Sequence, residues 1–512
     1  VAERVDSPLR AGDPVAPVSA EPAVRGVTLS SLTVQPGDLY AALPGARVHG
    51  ASYAASAATA GAVAVLTDPA GQALIESSSE PGLAGLPLLV VPQPRALLGD
   101  LAAWIYGDPG SRLTGFGVTG TNGKTTTTFL LDSALRALGR RTGLIGTIEI
   151  RVADERVLST GTTPEAPDLH ALLAVMLEHG VQACSMEVSS HALAQHRVDG
   201  LRLDVAGFTN LSQDHLDYHH TMDEYFAAKA GLFTPRHCRT AVICVDDVWG
   251  RRLCERSQVP VVRVATRPDA GPADWSVRGR SAASGGRIRV EVDGPAGSLG
   301  LQCPLPGEFN IANAVLALAM LVAAGTDPIA AARAVELAEP VPGRMEHVPG
   351  PGAPGEPLVV VDFAHTPAAV TAALGALAGQ GRPLVVVLGA GGDRDPEKRP
   401  MMGTAAARAA DVVVVTDDNP RSEPPAAIRA AVLAGARAAS AASGADVLEV
   451  SGRAAAVAQG VARAWGGGVL LVAGKGHEQG QEVAGMVHPF DDRVVVRAAL
   501  DAAAARETES AP

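Results

Sequence analysis

The sequence predicts an α/β protein of three domains, two of them built on parallel sheets. Three observations lead there. At 512 residues the chain is too long for one ordinary core. From Gly115 onward, short apolar runs bounded by Gly, Asp or Asn alternate with helical segments, the pattern of a doubly wound parallel sheet. The residues that carry chemistry follow those runs directly, where open α/β sheets bind ligands.

Residues 1–25 are rich in Pro, Ala and charge without periodicity and read as a loose tail, as does the end beyond about Ala504. Residues 26–112 read as a small α/β domain, with a Pro36-Gly37-Asp38 turn before Leu39–Leu43 and short strands at Ala62–Leu66 and Leu88–Val91. Residues 113–340 form the central domain. Its strands are expected at Gly115–Thr119, Cys184–Val188, Val205–Thr209 and Ala241–Val245, and its first helix at Lys124–Leu138, with Leu130, Leu131, Ala134, Leu135 and Leu138 on one face. Trp275–Leu305 alternates polar and apolar residues between glycines, as antiparallel hairpins do. After Glu339-Pro340-Val341-Pro342-Gly343, a third domain, 341–512, has strands at Leu358–Val361, Leu384–Leu388, Val412–Val415 and Val469–Val472.

Composition excludes several functions. Acidic residues outnumber basic ones, 54 to 42, which argues against nucleic acid or an anionic membrane as partner. Phosphates remain possible ligands, since backbone N–H groups and a few cations hold them locally. The five cysteines form no CxxC pair and read as inert buried thiols in a reducing compartment. No secretory signal is apparent, and the longest apolar stretch, Ile311–Gly325, is shorter than the roughly 20 residues that span a bilayer. A soluble, cytoplasmic protein without membrane insertion is expected.

The strongest motif is Gly117-Val118-Thr119-Gly120-Thr121-Asn122-Gly123-Lys124-Thr125-Thr126, between a strand and a helix. Converging backbone N–H groups, the Lys124 charge and the Thr125 hydroxyl suit a nucleotide phosphate and Mg²⁺. The usual phosphate-loop spacing wants glycine at 118, where this chain has Val118.

This loop, followed in order by MEVSSHAL, NLSQDHLDYH, YFAAKAGLF, GEFNIANAVLAL, PGRME, DFAHTP, GDRD, DNPR and GKGHE, resembles the Mur ligase family from about Gly26 to about Arg497. The resemblance implies the three-domain Mur ligase architecture: a domain recognising a uridine nucleotide, a central phosphate-loop ATPase domain, and a C-terminal Rossmann-like domain receiving an amino acid. It implies ligation through an acyl phosphate, with UDP-N-acetylmuramoyl-L-alanyl-D-glutamate, ATP and an amino acid as substrates and Mg²⁺ as cofactor; separately, a monomer is expected.

Carried over by motif, Gly120, Thr121, Asn122, Gly123, Lys124, Thr125, Thr126, Asn310, Asn313, Arg344, Asp362 and His365 would bind ATP. Thr125, Glu187, His215 and Lys229 would serve Mg²⁺, with Lys229 carbamylated to N6-carboxylysine. Taken alone, Glu187 reads equally as a capping residue and His215 as a loop histidine, while Lys229 reads first as a surface lysine on a helix. Thr162, Thr163, Ser189, Gln195 and Arg197 would contact the UDP-muramoyl dipeptide. Ser31 would join them, although the family's usual Asp-Ser-Arg is here Ser30-Ser31-Leu32.

Asp418-Asn419-Pro420-Arg421 would otherwise be an Asn-Pro turn with a solvated arginine. In this family it marks enzymes that choose meso-2,6-diaminopimelate over L-lysine, because a guanidinium can grip the extra carboxylate. Arg394, Gly474 and Glu478 would hold the other amino-acid centre. Folylpolyglutamate synthase and the lysine-adding ligases are the nearest alternatives, and a phosphate-loop kinase or regulatory NTPase is the alternative from another class.

Overall fold

The computed structural model describes residues 23–159, 161–282 and 288–510. The tail expected at 1–25 therefore lies almost wholly outside the described residues.

Sheet formation follows from runs of small aliphatic residues buried on both faces. In Leu384–Leu388, Leu384, Val386 and Leu388 enter one core while Val385 and Val387 enter another across the sheet. Val412–Val415 and Val469–Ala473 divide their side chains the same way. Such strands need covering helices on both sides, which is why they read as continuous apolar runs rather than alternating ones.

Among the described residues three larger sheets form, with one separate two-stranded hairpin, Gly480–Val483 with Met486–Pro489. The first pairs Gly26–Thr28, Asp38–Ala42, Ala64–Thr67 and Leu88–Val90 in that order, all parallel. It makes a third parallel sheet where the sequence predicted two. The second has eleven strands. Its middle is parallel, with Thr114–Thr119 between Leu203–Phe208 and Ala183–Glu187, and antiparallel hairpins extend both edges. The helix Glu308–Ala323 is buried nearly all round and seals one face. The third sheet has six strands, five of them parallel, in the order Leu358–Asp362, Val469–Ala473, Leu384–Leu388, Val412–Val415, Asp446–Glu449 after the antiparallel Glu346–His347.

The chain reverses direction across the second sheet at Thr114–Thr119, since the strands on its two sides come later in the sequence. That makes the carboxyl end of this strand a topological switch point, and the glycine-lysine loop sits there.

Two expectations are corrected. The last helix runs Asp492–Ser510, so the segment after Ala504 is helical rather than loose. The alanine run at 502–505 is a strong helix former and continues a helix already anchored by buried Val496 and Leu500. The strand expected from Ala62 begins at Ala64, because Gly61 and Ala62 close the preceding helix with bonds back to Ala58 and Ala57.

The third sheet is tied to that last helix by one buried ion pair. Arg453 donates through Nε and Nη2 to the two Asp492 oxygens, each at 2.7 Å, and through Nη2 to the Ala473 carbonyl at 2.9 Å. Asp492→Ala would strand the Arg453 charge in the interior. It is expected to destabilise this part of the molecule by about 3–5 kcal/mol, seen as an earlier transition in urea titration.

Candidate functional site

A cleft of about 920 Å³ opens between the second and third sheets. From the second sheet it is lined by Thr121–Thr126, Glu187, Asp214, His215 and Asn313, and from the third by Arg344, Asp362, His365, Arg394, Lys398, Asp418, Asn419, Arg421, Gly474 and Glu478. The phosphate-type loop and the Asp-Asn-Pro-Arg turn thus face one space.

The loop is shaped by close approach. Gly123 has φ +89°, and a Cβ there would sit 2.3 Å from Asn313 Oδ1. Asn313 in turn donates to Asn310 Oδ1 at 2.9 Å, and Asn310 donates to the Pro306 carbonyl at 2.6 Å. The Asn pair on the sealing helix is therefore fixed against the loop on one side.

Cations crowd the loop. Lys124 Nζ donates to the carbonyls of Gly120 and Thr121 at 3.0 and 2.9 Å. Lys229 Nζ reaches the same Gly120 carbonyl at 2.8 Å from the helix Met222–Ala230 and lies over the Tyr225 ring at 4.6 Å. Lys229 is 1% exposed, so the surface-lysine reading fails. Burial, reinforced by the Lys124 charge, pulls its ammonium well below the ordinary lysine range. Burial also lowers Lys124, against the opposing pull of Glu187 and Asp214.

Opposite them, Glu187 ends its strand with both oxygens engaged. Thr125 Oγ1 donates to Oε2 at 2.9 Å, and Thr147 donates through its backbone N–H to Oε1 at 2.7 Å and through its hydroxyl to Oε2 at 3.1 Å. Arg344 reaches across from the third sheet, its Nη2 donating to Thr125 Oγ1 at 3.1 Å while its guanidinium lies over Phe363 at 4.4 Å. Asp362 accepts from the Met345 N–H at 2.7 Å.

Asp214 is a second bridge between the sheets. Its carboxylate lies 3.5 Å from His215 Nε2, 3.7 Å from His365 Nε2 and 3.5 Å from Lys398 Nζ. Burial would raise Asp214, but His365, His215 and Lys398 outweigh it and hold the carboxyl well below its usual range. His215 itself is pulled down to about 3, chiefly by burial, and so is neutral with a free lone pair at physiological pH.

Behind Glu187 lies the group expected to meet the peptide substrate. Thr163 Oγ1 donates to the Glu187 carbonyl at 2.9 Å and accepts from the Ser189 N–H at 3.2 Å. Thr162 lies 3.1 Å from the Thr147 hydroxyl. Arg197 donates to the Thr163 carbonyl at 3.2 Å and to Gln195 Oε1 at 2.6 Å, and pairs with Glu165 at 2.9 Å. Ser31 is apart from this group, in an N-terminal turn whose neighbour Leu32 is 94% exposed.

On the third sheet, Arg421 adopts φ +52° and donates to the Gly392 carbonyl at 2.7 Å, with Glu482 3.3 Å from its Nε. Arg394 donates to the Asp393 carbonyl at 3.0 Å. Gly474 has φ +115°, and a Cβ there would lie 2.4 Å from Asp418 Oδ2. Pro420 holds the turn between Asn419 and Arg421.

Sequence reading missed Thr147, Asp214, Lys398 and Lys475. Asp214 and Lys475 stand inside quoted motifs, so their positions were in view; Thr147 carried no signal of its own.

Three family models match: the Mur ligase family catalytic domain over residues 23–106, the Mur ligase middle domain over 118–321, and the Mur ligase glutamate ligase domain over 343–476. A protein of Streptomyces avermitilis named UDP-N-acetylmuramoyl-L-alanyl-D-glutamate–2,6-diaminopimelate ligase is 50% identical over 482 residues, covering 93% of this chain and 92% of its own. A protein of the same name from Streptomyces coelicolor is 50% identical over 492 residues, with 93% and 92% covered. A solved structure of a ligase of that name superposes with a TM-score of 0.64 at 31% identity, over 94% of this chain and 95% of the other.

The depressed Lys229 predicts a pH signature. Between its lowered folded value and the ordinary 10.5, the unfolded chain binds a proton that the folded chain does not, so this residue lowers stability progressively as pH falls below 10.5. In CO₂-free buffer, Lys229→Met is expected to melt at a higher temperature than the parent near pH 7. The gap should narrow toward about pH 10, as read by calorimetry.

Proposed function

The chain belongs to the Mur ligase family, and we propose that it joins meso-2,6-diaminopimelate to UDP-N-acetylmuramoyl-L-alanyl-D-glutamate with conversion of ATP to ADP and phosphate. This step builds the peptidoglycan precursor. The observation that carries the reading is the shared cleft, in which Lys124 and Arg421 approach one space from two different sheets.

In the proposed reaction an oxygen of the D-glutamate γ-carboxylate attacks the γ-phosphorus of ATP, the bond to the β-phosphate oxygen breaks, and ADP departs. An amine nitrogen of diaminopimelate then attacks the acyl phosphate carbonyl, and the tetrahedral adduct collapses with loss of phosphate. The first step presses a carboxylate against a triphosphate, so it needs positive charge placed in advance. Lys124 supplies it from the loop. Arg344 adds to it from the third sheet, which makes approach of the two sheets part of assembling the site. Asn310 and Asn313 would meet adenine, and Asp362 with His365 the ribose side of the nucleotide. Thr162, Thr163, Ser189, Gln195 and Arg197 would orient the dipeptide carboxylate behind Glu187.

Mg²⁺ would be held by Thr125, Glu187 and His215, and these residues suit it: a carboxylate fixed by two threonines, a hydroxyl, and a neutral imidazole. Among the described residues no cluster of three or more His, Cys, Asp and Glu would hold a metal without help. That fits a hard cation completing its shell with phosphate oxygens and water. When bound, it would offset the repulsion between triphosphate and carboxylate. Lys229 would take up CO₂ through its neutral amine, releasing a proton and leaving a carbamate anion beside Lys124. Among the described residues no helix is long and apolar enough to cross a membrane. We propose a cytoplasmic monomer whose domains divide near residues 112 and 340.

Selectivity between amino acids tests the assignment. L-Lysine lacks the carboxylate that Arg421 would grip, and a site built for an absent polar partner discriminates by roughly 10⁴ or more. Phosphate release measured over a matrix of UDP-peptides and amino acids should therefore require the muramoyl dipeptide and diaminopimelate together. Arg421→Ala should lose most of that activity. Equal turnover of L-lysine by the unaltered protein would contradict the assignment.

A further inference from the structure

Lys475 follows the strand Val469–Ala473 and its side chain is fully buried. The proposed reaction gives it no role. Its Nζ donates to Asn419 Oδ1 and to Glu478 Oε2, each at 2.9 Å. Asn419 Nδ2 donates to the same Glu478 oxygen at 2.8 Å, and the Glu482 backbone N–H donates to Asn419 Oδ1 at 3.0 Å. Lysine has donors only, so the oxygen of the Asn419 amide must be the atom facing it. The amide nitrogen is then turned toward Glu478, and both residues line the cleft. Glu478 Oε2 is occupied by two donors, whereas no described residue hydrogen-bonds Oε1, and the side chain keeps 31% of its surface exposed at the cleft wall.

The result is a donor and an acceptor held side by side with fixed polarity. An α-amino-acid centre carries the complementary pair, a carboxylate for the amide N–H and an ammonium for the carboxylate oxygen. Inverting the centre exchanges these two groups relative to the side chain. The Glu482 N–H and the Lys475 ammonium together hold the amide oxygen inward, and Lys475 alone ties that amide to Glu478 by contacting both groups.

We propose that Lys475 is a positioning residue: through Asn419 and Glu478 it fixes the order of donor and acceptor at the amino-acid centre remote from the attacking amine, the one centre that differs between the meso and L,L isomers, and thereby which configuration is accepted there. This rests on the ligase reading above. Its two side-chain partners, Asn419 and Glu478, both belong to the third-sheet wall of the cleft, so the amino-acid substrate is the one its loss should affect most.

The experiment is steady-state kinetics of the full chain with each substrate varied in turn, for the parent, Lys475→Met, Lys475→Gln, Glu478→Gln and the Lys475→Met/Glu478→Gln double variant. Lys475→Met should raise KM for meso-diaminopimelate about 10–100-fold, the range for losing charged hydrogen bonds. KM for ATP and for the UDP-dipeptide should stay within about twofold. Lys475→Gln, which keeps a neutral donor, should fall between parent and Lys475→Met. The preference for the meso over the L,L isomer should drop in Lys475→Met, and the double variant should be no worse than Glu478→Gln alone. Additive losses in the double variant, an unchanged isomer preference, or loss of fold or of all three substrate affinities together in both Lys475 variants would each overturn the proposal. Failure of the parent protein to use either isomer would instead overturn the ligase reading itself.

Discussion

One carbonyl oxygen organises the cleft. That of Gly120 accepts from both Lys124 and Lys229, at 3.0 and 2.8 Å. Two ammonium groups cannot share one buried acceptor while both stay charged without a large electrostatic penalty. The site resolves this by depressing both, Lys229 well below its ordinary range. What remains is a loop crowded with positive charge beside a lysine whose ammonium form is disfavoured by burial and by Lys124. A triphosphate, a carboxylate and a carbamate are the species that would relieve it.

The rest of the structure holds that arrangement in place. Glu187 ends the strand adjoining the loop, and Thr125 and Thr147 keep its carboxylate facing the crowded cations. Asp214 gathers His365 and Lys398 from the third sheet, and Arg344 touches Thr125 from the same side. The cations of the third sheet therefore enter a charge balance already set in the second. On the far wall, Lys475 contacts Glu478 and Asn419 from outside the cleft, much as Thr147, itself on the cleft wall, orients Glu187.

Much of this was legible in the sequence, for physical reasons. Strands buried on both faces leave continuous apolar runs, so Leu384–Leu388 and Val412–Val415 were read to the residue. The loop after Thr119 announced itself through glycines that only close packing requires. Edge hairpins such as Glu149–Val152 with Glu155–Leu158 have one solvated face and little apolar content, and they went unread. Burial of Lys229 was invisible locally, since its helix carries Asp223, Glu224 and Lys229 like a solvated one; tertiary packing put one of those charges inside. Lys475 and Asp214 sat within recognised motifs but gained meaning only from partners 56 residues away and on another sheet, respectively.

The lysine sharing the Gly120 carbonyl is disfavoured as an ammonium, which is what would let it take up CO₂ and become an anion. The most direct measurement is ¹³C NMR of the protein equilibrated with ¹³C-labelled bicarbonate, comparing the parent with Lys229→Met. One slowly exchanging carbamate resonance is expected in the parent, absent from the variant and lost, together with activity, when CO₂ is removed. A fully active protein with no such resonance would contradict it.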